Sequence, residues 1–303
     1  MASFEQFASR PDDEIDLGLG AVLIARDVYP DLDIERTLGA FDELARPLQG
    51  LGLEHASPLA QAEHLRSHLH VTCGFNGNER DYYDARNSLI SDVLQRRLGI
   101  PISLSVIYCE VAKRVGVFAR GVSFPGHFLV RIDPPSMRAA AAHTTYGAAD
   151  VQAAHLADLA DLSEDIDLEP VFVDPFFGCR VLGPRDLSAL HAKTMGDSPM
   201  TPDTLAAATP RAILHRMLVN LRAVYLSRGD MARAMLSIDR ILCLTPNATE
   251  PLRERGLLSA RLGAREQALA DLERFLELAP HAEDAPQIRA RVAALKKEHT
   301  TLN

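Results

Sequence analysis

The sequence predicts an α+β fold followed by an all-α region, and three observations carry this prediction. Amphipathic patterns of helical period fill most of residues 14–71. Helices and short apolar strands alternate with Gly and Pro turns over residues 87–132. Helical segments recur at a fixed spacing in the C-terminal third. We therefore predict a helical N-terminal part, a core helix packed on a small antiparallel sheet, and a domain of helical repeats.

Composition and charge exclude several classes of protein. The chain has 303 residues, of which 47% are hydrophobic, enough for more than one core. Its net charge of −9 argues against a nucleic-acid partner, which needs a basic face. The acidic N-terminus lacks a signal-peptide pattern, and no apolar run could span a membrane. Four cysteines without CxxC spacing are typical of reduced thiols, so we expect a cytoplasmic protein.

The N-terminal part is predicted to hold helices at residues 14–29, 33–48 and 58–71. His64 and His68 in the third helix are four residues apart, a spacing that can bind a metal on one helix face. The sequence lacks HExxH order and a third ligand at motif spacing, so we interpret the pair as solvent-facing. We predict neither a metal site nor a cofactor, because no Gly-rich phosphate loop follows a strand.

The central stretch, residues 87–132, contains the core helix. Asn87 or Ser88 can cap a helix that Gly99 ends, and Pro101 opens the next, more apolar helix. Strands are predicted at Val117–Phe124 and at His127–Ile132, joined by a Pro-Gly turn. We interpret residues 134–165, which are Ala-rich and weakly patterned, as a surface insertion with a short helix.

A third strand, residues 171–173, ends at Asp174, and residues 180–182 are a candidate fourth. A helix N-terminus, a histidine at a strand start and a carboxylate at a strand end form the layout of a papain-like active site. His127 and Asp174 occupy the last two places. His127 also has a structural interpretation, in which it holds the Pro-Gly turn through a hydrogen bond to Asp174.

The C-terminal region repeats with a period of 34 residues and the pattern G-x4-A-x7-L-x3-P. The matching pairs are Gly229 with Gly263, Ala234 with Ala268, Ile238 with Leu272, Leu242 with Leu276, and Pro246 with Pro280. This spacing is typical of tetratricopeptide helix pairs, and the alternative is a plain bundle of four or five helices. With residues 194–210 as a linker, we predict domains at residues 1–193 and 211–303.

Seven short motifs within residues 14–190 occur in a characteristic combination. They are Tyr29-Pro30, Phe75-Asn76-Gly77-Asn78, Tyr82-Tyr83-Asp84, Asn87-Ser88, Arg97-x-Gly99-Ile100-Pro101-Ile102, Pro125-Gly126-His127-Phe128 and Asp174-Pro175-Phe176. This part of the chain resembles the bacterial SirB-type transglutaminase-like core proteins, a module also found in some eukaryotic F-box proteins. Members of that family similarly end in tetratricopeptide-like helices.

The resemblance implies a papain-like fold with a Cys-His-Asp triad. It carries His127 over as the general base and Asp174 as the acid that orients it. The nucleophile does not carry over, because residues 101–105 read Pro-Ile-Ser-Leu-Ser where the cysteine would start the core helix. Ser103 or Ser105 could replace the thiol. Ser103 could equally be a helix N-cap, and Ser105 a small buried residue.

Cys109 lies one helical turn beyond Ser105, but an apolar helix interior would raise its pKa, so it fits core packing better. Cys179 follows the Asp174 strand and is a further thiol that could approach His127. Asn87, Tyr82 and Tyr83 are candidates for the same cleft, or for capping and core filling. We expect a non-catalytic module that binds a protein or peptide. The alternative is an acyl-transfer hydrolase that uses one of the two serines, or Cys109, with His127 and Asp174. The sequence does not predict an oligomeric state.

Overall fold

The computed structural model describes residues 3–134 and 169–300. They form two compact units, one of residues 11–217 and the other of the first ten residues together with residues 218–303. The domain limits given above stay a prediction. Residues 135–165 of the predicted insertion lie outside the described residues.

Helices of the first unit begin where capping side chains and prolines occur in the sequence. Asp16, Asp33 and Ser57 each accept a backbone N–H of the helix that they precede. Proline opens four of the helices, where its missing N–H has no cost. The helices are α2 (Leu17–Val28), α3 (Ile34–Ala45), α4 (Pro58–Arg66), α5 (Ile90–Arg96), α6 (Pro101–Arg114), α7 (Pro184–Met195) and α8 (Pro210–Ser227), following α1 (Phe4–Ala8) of the other unit. A π-helical turn, Ser67–Thr72, extends α4.

The main sheet has four antiparallel strands, which are paired in the order in which they occur in the chain. The strands are β1 (Asn76–Gly77), β2 (Leu98–Gly99), β3 (Ala119–Val122), β4 (Leu129–Ile132), β5 (Val171–Asp174) and β6 (Arg180–Leu182), with β1 and β2 forming a short parallel pair. Helix α6 packs against β3 and β4, and its residues Pro101 to Ala112 are buried. The predicted α+β core, a buried helix on a small antiparallel sheet, is confirmed.

His127 precedes β4, whereas the sequence predicted that it starts the strand. The His127 N–H donates to the Phe124 carbonyl oxygen across the turn (3.1 Å), so it cannot join the strand ladder. Gly126 has φ +68°, a left-handed conformation that favours glycine, and a Cβ there would meet Thr194 Oγ1 at 2.5 Å. The turn, and not the strand, therefore positions the histidine.

The second unit contains two helix pairs that repeat with the predicted period. Its helices are α9 (Met231–Leu244), α10 (Thr249–Arg261), α11 (Arg265–Leu278) and α12 (Ala285–Thr300). Helices α9 and α11 are each 14 residues long and begin 34 residues apart. Ala234 and Ala268 are fully buried, and Gly229 and Gly263 both adopt positive φ before these helices. The tetratricopeptide prediction is confirmed.

Helix α1 belongs to this second unit, although 222 residues lie between its end at Ala8 and the start of α9 at Met231. Phe4 and Phe7 are buried, and α1 packs on α9. Arg240 of α9 lies over the Phe4 ring at 5.2 Å and forms an ion pair with Glu5. The first ten residues therefore contribute to the core of the repeat unit.

The predicted linker is ordered against the sheet. The Ala208 N–H donates to the Gly121 carbonyl oxygen (2.8 Å), and Ala207 forms an isolated bridge with Val122 of β3. This segment thereby covers the edge of β3, where free backbone groups would otherwise be exposed. Across the described ranges, we find no helix whose length and apolar character would allow it to cross a membrane.

Candidate functional site

His127 and Asp174 are brought together by neighbouring strands of the sheet. Strands β4 and β5 pair in a register that places Val130 opposite Val173, so the turn just before β4, which holds His127, lies beside the end of β5. His127 Nε2 donates to Asp174 Oδ1 at 3.0 Å. The two side chains are 10% and 1% exposed, respectively. A buried carboxylate thus orients the imidazole, as in papain-like sites.

The carboxylate of Asp174 is itself held by the chain that follows it. Its Oδ1 also accepts the backbone N–H groups of Phe176 (3.1 Å) and Phe177 (3.3 Å). Since Nε2 of His127 donates to this oxygen, Nδ1 is the acceptor atom of the neutral ring. No residue in the described parts of the chain hydrogen-bonds Nδ1. The ring is therefore oriented, and its Nδ1 has no hydrogen-bond partner within residues 3–134 and 169–300.

Two aromatic rings contact the histidine, and two tyrosine rings continue the row of contacts from Phe176. Phe177 stacks on the His127 ring at 6.1 Å, and Phe176 approaches it edge-on at 6.2 Å. Tyr82 contacts Phe176 at 5.9 Å and Tyr83 at 5.4 Å. Tyr83 is 70% exposed and Phe177 is 48% exposed. We call His127, Asp174 and these four rings the His127 site.

Sequence reasoning did not assign Phe176 and Phe177 to the site, although it noted the Asp-Pro-Phe-Phe-Gly segment. Two adjacent aromatic residues between Pro175 and Gly178 were the available signal in the sequence. Gly77 is also required here, because a Cβ at this position would meet the Phe176 ring at 2.6 Å.

Ser103 holds the start of α6. Its side chain is fully buried, and its Oγ accepts the Ile100 N–H at 3.1 Å. The hydroxyl lies 2.5 Å from the Asn87 carbonyl oxygen and 3.1 Å from that of Ile100, and can donate to them. Ile100 is the N-cap of α6, so Ser103 is not the N-cap that the sequence suggested; from the third position of the helix its hydroxyl binds the N–H of that residue.

The Ser105 hydroxyl is also hydrogen-bonded to the backbone. Its hydroxyl donates to the Pro101 carbonyl oxygen at 2.8 Å, one turn earlier in α6, and the residue is 1% exposed. No hydroxyl or thiol of the described chain is hydrogen-bonded to His127. The structure therefore brings His127 and Asp174 together and gives each candidate serine a different partner.

Asn87 organises the loop before α5. Its amide nitrogen donates to the carbonyl oxygens of Asp81 (2.7 Å) and Tyr82 (3.2 Å), and its Oδ1 accepts from Asn78 (2.9 Å). Asn87 is fully buried. These hydrogen bonds hold the loop that contains Tyr82 and Tyr83.

The two thiols considered as nucleophiles are buried. Cys109 is 7% exposed, and burial raises its pKa well above the ordinary value. Burial, aided by the charge of Asp174, raises the pKa of Cys179 to about 12. Both remain protonated at neutral pH, whereas a cysteine nucleophile needs its thiolate form.

The histidines of the third helical segment have local partners. His68 Nε2 lies 2.7 Å from the Leu44 carbonyl oxygen, and His70 Nδ1 lies 3.2 Å from that of Phe75. Among the residues that the structure describes, no three His, Cys, Asp or Glu side chains are grouped so that they could hold a metal ion.

Comparison with known proteins identifies relatives for both parts of the chain. Residues 35–219 match the model of the transglutaminase-like superfamily, and residues 221–293 match a tetratricopeptide repeat. The chain is 36% identical to a UPF0162 protein of Xylella fastidiosa (strain Temecula1), with 97% of this chain and 95% of that protein covered. A UPF0162 protein of Vibrio cholerae is 26% identical, with 94% of each chain covered.

A shorter similarity extends to a eukaryotic protein. F-box only protein 21 of Mus musculus is 33% identical over 151 residues, which make up 43% of this chain and 24% of that protein. No solved structure matches the chain. Together with the fold and the His127–Asp174 pair, the full-length matches show that the chain belongs to the UPF0162 (SirB-type) family, in which a transglutaminase-like domain is followed by tetratricopeptide repeats.

Proposed function

We propose that the transglutaminase-like domain is a non-catalytic module that binds a protein or peptide segment at the His127 site. The observation that carries this proposal is the open Nδ1 of an oriented histidine beside partly exposed rings. Tyrosine and other aromatic residues are enriched in protein interfaces, because they offer large rigid contact area at low entropic cost. An imidazole acceptor among such rings can bind a peptide N–H or O–H group.

The start of α6 supports the non-catalytic part of the proposal. A serine nucleophile would need its hydroxyl within hydrogen-bond reach of the base. The hydroxyls of Ser103 and Ser105 instead bond backbone carbonyl oxygens, and breaking the Ser103 bonds would uncap the helix. The hydrolase alternative through these serines, or through buried Cys109, would therefore require the helix start to rearrange.

The tetratricopeptide repeats agree with a role in binding. Arrays of this kind generally mediate contacts between proteins through their stacked helices. Arg255 links neighbouring helices by binding both Asp239 and Asp271, so the array is held by polar contacts as well as by its core. A binding domain joined to such repeats fits an assembly or recruitment role.

The test is selection of a displayed random dodecapeptide library on the full-length protein. We expect the wild type to enrich peptides that no longer bind Phe177→Ala or Tyr83→Ala. Leu262→Ala, which removes another exposed apolar side chain in the repeat unit, serves as the matched control and should bind normally. Peptides that bind all four proteins equally, or no enrichment at all, would contradict the proposal.

A fluorophosphonate probe tests the hydrolase alternative on the same preparations. We expect no covalent labelling of folded wild-type protein. Labelling of Ser103 or Ser105 that disappears in His127→Ala would establish serine chemistry and exclude a purely non-catalytic module.

A further inference from the structure

Arg216 adds a charged group next to the His127 site. It lies in α8, within the unit of residues 11–217, and its Nη1 donates to Ser123 Oγ at 2.9 Å. Ser123 is in the same turn as His127, between β3 and β4. A turn hydrogen bond from His127 to Phe124 keeps this segment compact. Arg216 therefore reaches the turn that positions the histidine.

Tyr82 belongs to the same set of ring contacts as His127. It contacts Phe176, which contacts His127. Burial raises the pKa of the Tyr82 phenol, as does neighbouring Tyr83, while the positive charge of Arg216 acts in the opposite direction. The geometric link between Arg216 and the site is its hydrogen bond to Ser123, in the turn that holds His127.

The guanidinium of Arg216 has no carboxylate partner among the residues that the structure describes. Arg120 and Arg131 both bind Asp133, whereas Arg216 forms no ion pair with any Asp or Glu of the described residues. The chain contains 41 acidic and 32 basic residues, so acidic partners are abundant. Of the five N–H groups of the guanidinium, one donates to a described residue, which leaves a fork suited to a carboxylate.

We infer that the His127 site binds a partner segment through an internal Asp or Glu side chain on Arg216, with an adjacent apolar residue on the Tyr82–Phe177 rings. This inference rests on the proposed binding function and names the chemistry of its ligand. An internal acidic side chain fits better than a chain terminus, because terminal carboxylates are usually captured by successive backbone N–H groups. The donors here belong to side chains. Arginine and tyrosine together are also the residue types that dominate binding energy at interfaces.

The experiment repeats the dodecapeptide selection on the full-length wild type, on Arg216→Gln and on Arg36→Gln. Arg36 is an exposed arginine of α3, so its variant matches the charge change elsewhere on the surface. We expect wild type and Arg36→Gln to enrich peptides with Asp or Glu beside an apolar residue, and Arg216→Gln to lose this enrichment. The best peptide is then synthesised with Glu, with Gln and with phosphoserine at the acidic position.

Affinity measurements on the synthetic peptides give the decisive comparison. We expect the Glu-to-Gln change to weaken binding to wild type by about tenfold, and to change binding to Arg216→Gln by less than about twofold, the signature of a direct pair. Equal losses on both proteins would overturn the inference. A phosphoserine peptide that binds wild type more than about tenfold tighter than the Glu peptide would also overturn it, in favour of a phosphate site.

Failure of the inference and failure of the proposed function are distinguishable. Selected peptides that depend on Phe177 and Tyr83 but show no acidic enrichment would leave the binding function standing and overturn the role of Arg216. No selection on the wild type would overturn both. Thermal unfolding of Arg216→Gln, compared with Arg36→Gln, verifies that lost binding is not lost folding.

Discussion

The His127–Asp174 pair on the sheet and the start of α6 differ in what their polar groups bind. On the sheet side, His127 is oriented by Asp174, yet its Nδ1 has no partner among the described residues. On the helix side, at the start of α6, the hydroxyls of Ser103 and Ser105 are both bonded to backbone carbonyl oxygens. The histidine ring is therefore oriented without a described partner for Nδ1, whereas both serine hydroxyls hold backbone groups of the helix start.

The largest expected effect is the low reactivity of the buried Cys179 thiol. With the pKa of Cys179 raised from 9.0 to about 12, its thiolate population near pH 8 falls about 10³-fold, and burial further limits access. We expect iodoacetamide to alkylate native Cys179 at least about 10³-fold more slowly than the same residue in urea. Mass spectrometry of the Cys179 peptide over time measures both rates. An alkylation rate of native Cys179 equal to or above that of the unfolded protein would contradict this prediction. It would make Cys179 a candidate nucleophile.

Next in size is the stability contribution of the helix side. Ser103→Ala removes the hydroxyl that accepts the Ile100 N–H and bonds the Asn87 carbonyl oxygen, and leaves only the longer bond from the Ile100 N–H to that oxygen (3.4 Å). We expect a loss of about 2 kcal/mol in the free energy of unfolding, measured by urea denaturation.

Ser105→Ala is the matched control for this measurement. Its single bond to the Pro101 carbonyl oxygen is a local contact within one helix, so the expected loss is about 0.5 kcal/mol. If the two substitutions cost the same, the additional bonds of Ser103 add no stability. That result would contradict the structural role given to this serine.

A small effect on stability is also expected for the exposed ring of Phe177 on the sheet side. Phe177→Ala removes a half-exposed ring but keeps the backbone N–H that donates to Asp174. We expect its free energy of unfolding to fall by less than about 1 kcal/mol, while peptide binding is lost. A cost well above that of Ser103→Ala, found in the same urea titrations, would indicate that Phe177 belongs to the core and not to a binding surface.

Much of the fold was predictable because its signals are local. Asp16, Asp33 and Ser57 cap their helices from within a few residues, and Gly229 and Gly263 recur at the repeat period. The pairing of His127 with Asp174 was also predictable, since each follows a turn or strand signal in the sequence. The strand limits were less predictable, and His127 proved to lie in the turn because its N–H bonds Phe124.

The surroundings of the site were not predictable in the same way. Ser103 could be a cap or a nucleophile until its contact with Asn87, 16 residues away, was known. Phe176 and Phe177 read as an ordinary turn sequence, although both rings contact His127. Arg216 lies within a helix whose pattern gives no reason to single it out. Its partner Ser123 is 93 residues away.

The sequence by itself determined the helices, the repeat, the antiparallel hairpin around Pro125-Gly126 and the identity of the His–Asp pair. Capping, periodicity and turn propensity act over a few residues, so they can be recognised in the sequence without a structure. Only the tertiary structure decided that α1 packs with the repeats, that the segment around Ala207 covers β3, and that the helix-side serines hold backbone groups. Those outcomes are contacts between residues far apart in the sequence. Such contacts depend on how all the helices and strands pack to bury their apolar faces.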